Sequence, residues 1–314
     1  MDERLDLYAV RALLDEVLNQ VITRNIGFGI SRVKPKVLER IEVNLTSPSG
    51  LMKRALEISR KLVEERLKGL SSSGYEVGYL DLELTSPGIV GIATGPMKLV
   101  FEVGLNIDPI IGLPYYPGSS IKGVARKAVS ETLRKCIVNN KRDKDKVEKI
   151  VNDIVDTIFG KTDNEARISL VTFLDAYPIG CSSEDCSIYT GAIVTPHYYR
   201  EGKPVETELD ASPIPVPHIA IAPGLIFRFI IGVRKAFSPD SAEKLKEVNV
   251  QKCGLPNLNL DSPRDLLRFI AIVLLRELNA GSFARGKKGY NVFEPYDGLV
   301  QASSVRAFGL WRGP

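Results

Sequence analysis

Gly112-Leu-Pro-Tyr-Tyr-Pro-Gly-Ser-Ser-Ile-Lys-Gly-Val-Ala-Arg126 decides the reading of this chain, because a loop turns into a helix there and cations stand at the turn. Ser119 or Ser120 supplies the oxygen that an N-cap needs, and Ile121, Val124, Ala125, Ala128, Val129 and Leu133 follow at helical spacing. A helix start leaves backbone N–H groups unpartnered and carries the positive end of the helix dipole, so it attracts anions. Gly118, Ser119, Ser120 and Lys122 meet that description, with Arg126 one turn further on. These residues are read as phosphate contacts. From 120 to 149 lysine and arginine outnumber the acids, and the mixed-sign portion 141–149 reads as a solvated helix face.

Outward from this stretch the pattern alternates between the two regular structures. Tyr79-Leu-Asp-Leu-Glu-Leu-Thr85 has the period of a half-buried strand, and Lys98-Leu-Val-Phe-Glu-Val103 predicts a second. Earlier, residues 1–22 and 50–68 each carry an apolar face at helical spacing. Between these helices lies a basic loop, 24–36, whose Arg32 is a further RNA-contact candidate. Later, 167–175 predicts a core strand, and 218–233 a hairpin pinched at Pro223-Gly224. Ser262 and Pro263 start a last helix that a glycine, Gly281, stops. This order predicts an α+β fold, a ferredoxin-like (RRM-like) core with helical and β-hairpin insertions. The expected division is an N-terminal helical segment, 1–75, packed on a domain over 76–314 that carries a polar, Pro-rich insertion at about 179–217.

Composition narrows the function. The chain has 314 residues, 44% hydrophobic and 25% charged, and its 42 basic and 38 acidic side chains leave only +4. That is a globular composition with no bulk polyanion signal, so any nucleic-acid site must be local. No apolar run is long enough for a membrane span, and the acidic opening Met-Asp-Glu-Arg is unlike an export signal, so no membrane partner and a cytoplasmic address are expected. Cys181 and Cys186 form the close pair among four cysteines. Zinc would need two more ligands, and free thiols or a loop disulfide are the plainer readings. No metal and no cofactor are expected.

Enzyme motifs are incomplete. Gly160-Lys161-Thr162 ends like a phosphate-cradling P-loop, but Val155 stands where its first glycine belongs. Asp108 and Asp175 stand apart and read as turn and cap residues rather than a metal-binding carboxylate cluster. His197, in Thr195-Pro-His-Tyr-Tyr199, could stack on bases or move a proton, although a structural histidine is commoner. The loop 281–290 combines glycines with Arg285, Lys287 and Lys288 for phosphate charge, and with Phe283 and Tyr290 as stacking surfaces.

Taken together, four separated segments resemble the RAMP superfamily of CRISPR-associated proteins, and within it the family of the sixth subunit of type III-B Cmr effector complexes. They are Leu113–Gly123, then Phe159-Gly160 with Val171–Pro178, then Thr195–Tyr198 with the Pro-rich run to Pro217, and the glycine-rich loop from Gly281 to Phe293. Phe283 and Asn291 stand in that loop where glycines are common. The resemblance implies a non-catalytic RNA-binding subunit that caps a backbone filament near the 3′ end of the guide. The implied partners are CRISPR guide RNA and target RNA, the repeated RAMP backbone subunit to which target cutting is assigned, the small helical subunit and the other filament-capping RAMP subunit. It also implies that 179–217 projects as a thumb. The alternative is a metal-independent RAMP endoribonuclease that processes CRISPR RNA, with His197 as general base.

Overall fold

In the computed structural model, which describes residues 50–91, 105–137, 144–161, 166–183, 187–194, 199–200, 203–204, 216–246, 248–281, 283, 289–296 and 308–310, the longest apolar stretch is the middle of the sheet. The elements run α1 (Gly50–Ser72), β1 (Tyr75–Leu84), α2 (Gly118–Ile137), α3 (Lys144–Phe159), β2 (Val171–Phe173), β3 (Tyr177–Cys181), β4 (Tyr189–Val194), β5 (Tyr199–Arg200) and β6 (Lys203–Pro204). They continue with β7 (Val216–Ile221), β8 (Leu225–Arg234), α4 (Pro239–Lys246), a 3₁₀ turn at Val250–Cys253, α5 (Pro263–Asn279), β9 (Phe293–Pro295) and β10 (Phe308–Leu310). The main sheet has the order β10-β1-β8-β2, with β3 also on β8 and β9 also on β1, and its pairings are antiparallel. β8 is buried at every position except Arg228 and Arg234, because it has a strand on both edges and a helix layer on each face.

The two faces of the sheet follow from the period of two. Arg228 pairs across to Asp81 with two hydrogen bonds, at 2.7 and 2.6 Å, and lies 4.2 Å from the ring centre of Tyr79. On the same face a side chain at Gly232 would meet Leu70 of α1 at 2.8 Å, so glycine there lets α1 lie flat on the sheet. Phe227 and Phe229 point the other way, into an aromatic cluster with Tyr116, Phe283 and Phe293 whose ring centres lie 5.0–6.2 Å apart. α2 and α5 pack against each other and over this face. Full burial of one such ring contributes about 1.5–3 kcal/mol, so this cluster is a main anchor of the fold.

Several sequence expectations are refined. The alternating strand extends over Tyr75–Leu84, and α5 begins with Pro263 at its first turn and stops before Gly281, although Ser262 makes no side-chain cap bond. The 218–233 hairpin is corrected: β7 pairs with β4 in a separate two-stranded sheet, and the turn at 222–224 carries the chain into the main sheet. The strand expected at 167–175 is shorter, β2 at Val171–Phe173 on β8, and β3 follows on β8 from Tyr177 after Ala176 leaves the ladder to exchange backbone hydrogen bonds with Tyr116. Val147, Val151, Ile154, Val155 and Ile158 give α3 an apolar stripe, and Asp145, Lys146 and Lys149 are exposed as a solvated face should be. The helix expected at 1–22 and the strand at 98–103 lie outside the described residues. Cys136 and Cys181 are both disulfide-bonded, so the free-thiol reading is corrected and Cys181 has no thiolate for zinc. Among the described residues no helix is long and apolar enough to cross a membrane, and no group of three His, Cys, Asp or Glu could hold a metal ion.

Candidate nucleic-acid interface

The helix start at Gly118 is closed from inside. The N–H of Gly118 donates to Asp175 Oδ1 at 2.8 Å, so a carboxylate of the protein itself sits at the positive end of α2. Asp175 is thus the cap, and Ser119 and Ser120 are exposed first-turn residues rather than the N-cap. Arg66 Nη1 stands 4.0 Å from Asp175 Oδ2. A Cβ on Gly118 would lie 2.2 Å from the Phe173 carbonyl oxygen, so only glycine permits this approach. Asp108 is likewise a turn residue, accepting from the N–H groups of Ile110 and Ile111 and from the Tyr177 hydroxyl. Both aspartates therefore do what their isolation in the sequence suggested.

One turn into α2 the charges face a cleft of about 580 Å³, lined by Lys122, Arg126, Asp156, Phe159, Gly160, Lys161, Arg167 and Ser169. Its far wall is an isolated antiparallel bridge in which Lys161 and Arg167 exchange backbone hydrogen bonds of 3.1 and 2.9 Å. Gly160, with φ +82, lets the chain leave α3 and turn to bring Lys161 into this bridge. Arg126, read from sequence as a phosphate contact, is engaged here: its guanidinium donates to Asp156 Oδ1 and to the Gly160 carbonyl. Arg167 donates to Asp153 Oδ1 at 2.6 Å, and Lys244 reaches Asp153 Oδ2 at 3.3 Å. Burial alone would raise the Asp153 carboxyl, but hydrogen bonds from Arg167 and Lys244 outweigh it and hold it below the usual carboxylate value. Lys122 differs from Arg126 and Arg167 in that no carboxylate of the described residues pairs with it. Burial, and then the charge of Arg126, push its amine below the ordinary lysine value.

The second expected site is built differently. Phe283, read as a stacking surface, is buried with its ring 5.0 Å from that of Tyr116. Tyr290 is half-buried against the small sheet, its ring 6.0 Å from His218 and its hydroxyl donating to the Ile193 carbonyl at 3.3 Å. Asn291, at φ 57 and fully buried, accepts from the Ile89 N–H and the Tyr116 hydroxyl at 2.9 and 2.7 Å and donates to the Ile89 carbonyl at 2.8 Å. The residue that looked like a departure from a glycine loop is a clip that fastens this loop to the core. Arg32, His197, Arg285, Lys287 and Lys288 lie outside the described residues.

Sequence reasoning found Lys122 and Arg126 but not Lys161, Arg167, Asp153 or Asp156. The signal was present in part, since Asp153 and Asp156 share one face of the amphipathic α3 and Gly160-Lys161 follows its end.

A split antiparallel sheet with helices on both faces and a glycine-serine helix start backed by cations defines a class. The chain belongs to the RAMP superfamily, whose family model matches residues 81–275. The chain is similar to the CRISPR system CMR subunit Cmr6 of Saccharolobus solfataricus, at 30% identity over 162 residues, which are 52% of this chain and 48% of that protein. The chain thus spans about half the length of the curated relative it matches. A chain in the cryo-EM structure of the type III-B Cmr-beta complex bound to cognate target RNA superposes with a TM-score of 0.55 at 24% identity, covering 93% of this chain and 90% of that one, a likeness of fold.

Proposed function

We propose that this chain is a non-catalytic RNA-binding subunit of a type III-B CRISPR (Cmr) RNA-guided effector complex, and that it caps the backbone filament near the 3′ end of the guide RNA. The observation that carries the reading is the 30% identity to Cmr6 over 162 residues, together with the match of the RAMP family model to residues 81–275. The order of elements supports a ferredoxin-like core: a strand, a helix, paired short strands, the central strand, a helix and edge strands, with the order β10-β1-β8-β2. The separate pairings β4–β7 and β5–β6 support an insertion at about 179–217 on a domain over 76–314, and α1 belongs to the helical segment 1–75 packed on it. The partners are guide and target RNA, the repeated backbone subunit, the small helical subunit and the other capping subunit. A half-buried cation cleft suits binding of phosphates without reading of bases, and sequence specificity then comes from base pairing.

The test is binding of the full chain to a labelled guide RNA over a salt series, alone and with the repeated backbone subunit, in chelator, with the RNA checked for cutting. Salt-sensitive binding of intact RNA that the partner strengthens is the expected result. No binding even with the partner overturns the reading. Cutting that His197→Ala abolishes replaces it with the endoribonuclease.

A further inference from the structure

We propose that the cleft between α2 and the bridged pair Lys161 and Arg167 holds one backbone phosphate, with Lys122 on one wall and Lys161 and Arg167 on the other, and with Asp153 and Asp156 as positioning residues. The inference rests on the RNA-binding reading and names the atoms of the site. The cations of the cleft come from two segments more than thirty residues apart in sequence, Lys122 and Arg126 on α2 and the bridged pair Lys161 and Arg167. Each arginine is held in place by a carboxylate of α3, Arg126 by Asp156 and Arg167 by Asp153. The acids therefore fix the walls, and Lys122 is left as a partly buried charge with no carboxylate beside it among the described residues. An anion in the cleft would favour its charged form against the partial burial and the repulsion from Arg126.

The lining also says which anion. Ser169 donates its hydroxyl to the Val171 carbonyl at 2.6 Å, so it is already used within the fold. The aromatic ring of the lining, Phe159, is buried and 2% exposed, which leaves no ring face for a base to stack on. What the cleft offers is positive charge, and that matches a phosphate rather than a base edge.

The test uses the full chain with Lys122→Met and Lys161→Met. RNA affinity for a single-stranded homopolymer is followed over a salt series, and melting is followed in inorganic phosphate against chloride at equal ionic strength. Each variant is expected to bind roughly tenfold more weakly. Each should also lower the salt slope by about 0.7, the value for one lost single-strand phosphate contact. Lys122→Met should melt no lower than the wild type, and phosphate should raise the melting temperature of the wild type but not of this variant. Unchanged affinity and slope in both variants, with a wild type that binds RNA, overturns the cleft and leaves the RNA-binding reading standing. A wild type that binds no RNA defeats that reading, and the cleft then stands or falls on the phosphate-specific rise in melting temperature.

Discussion

The helix start at 112–126 and the loop at 281–293 carry the same sequence pattern, glycines with cations and tyrosines, and the fold uses them in opposite ways. In the first, the backbone donor at Gly118 is taken by Asp175 and the cations one turn later face an open cleft. In the second, the described residues turn inward: Phe283 joins the aromatic core and Asn291 clips Ile89 and Tyr116. Glycine and charge in a sequence therefore mark where a backbone can approach something, and the neighbouring carboxylates and carbonyls decide whether that something is a ligand or the protein itself.

The largest effect that sharpens this comparison is expected from Asn291→Ala. It strips partners from a buried N–H, a buried carbonyl and a buried hydroxyl at once, and it puts alanine at a positive φ. A loss of about 3–5 kcal/mol in urea unfolding is expected. RNA affinity of the folded fraction should not change, and a selective loss of RNA binding with full stability would break the contrast. Gly118→Ala comes next, at about 2–4 kcal/mol, because its methyl group would press on the Phe173 carbonyl. Asp175→Ala is expected to cost about 1–2 kcal/mol by uncapping α2. If it instead left stability untouched, the helix start would be an open anion site after all.

The smallest effect is one of pH. The Asp153 carboxyl is held below its unfolded value, so its pairing with Arg167 and Lys244 contributes fully above the unfolded carboxylate pKa and is lost as pH falls through the folded one. Asp153→Asn should therefore flatten the acid side of the stability profile in a melting series. Lys122 has the opposite bearing: its folded pKa lies below its unfolded one, so its unfavourable contribution is fully present at neutral pH and fades as pH rises through the folded pKa. The stability gap between Lys122→Met and the wild type should narrow in alkali.

Much of the fold was legible because it is written in local periodicity. The alternation at 79–85 gave β1, and the Ser262-Pro263 start and Gly281 stop framed α5. The apolar stripe of α3 was equally regular, yet the mixed charges of 144–149 drew attention from it. The hairpin at 218–233 was misjudged for a physical reason: a tight turn at Pro223-Gly224 fixes that two strands are adjacent in sequence, not that they share a ladder. At the site, Lys122 was legible from the helix start, whereas Phe283 and Tyr290 looked exposed only because aromatic rings in a glycine-rich loop have no periodicity to reveal a buried face.

What the sequence determined by itself is that α5 starts at Pro263 and stops before Gly281, that a strand covers 79–84, that the fold is mixed α and β, and that a cationic helix start stands at 118–126. These depend on neighbours within a few residues, through capping, side-chain spacing and backbone freedom. Only the tertiary structure decided that Asp175 closes that helix, that Asn291 is a clip, and that Lys161 and Arg167 complete a cleft around Lys122. Each of those depends on a distance between segments far apart in the chain, and electrostatic and hydrogen-bond energies are set by that distance and by burial, which no local pattern encodes.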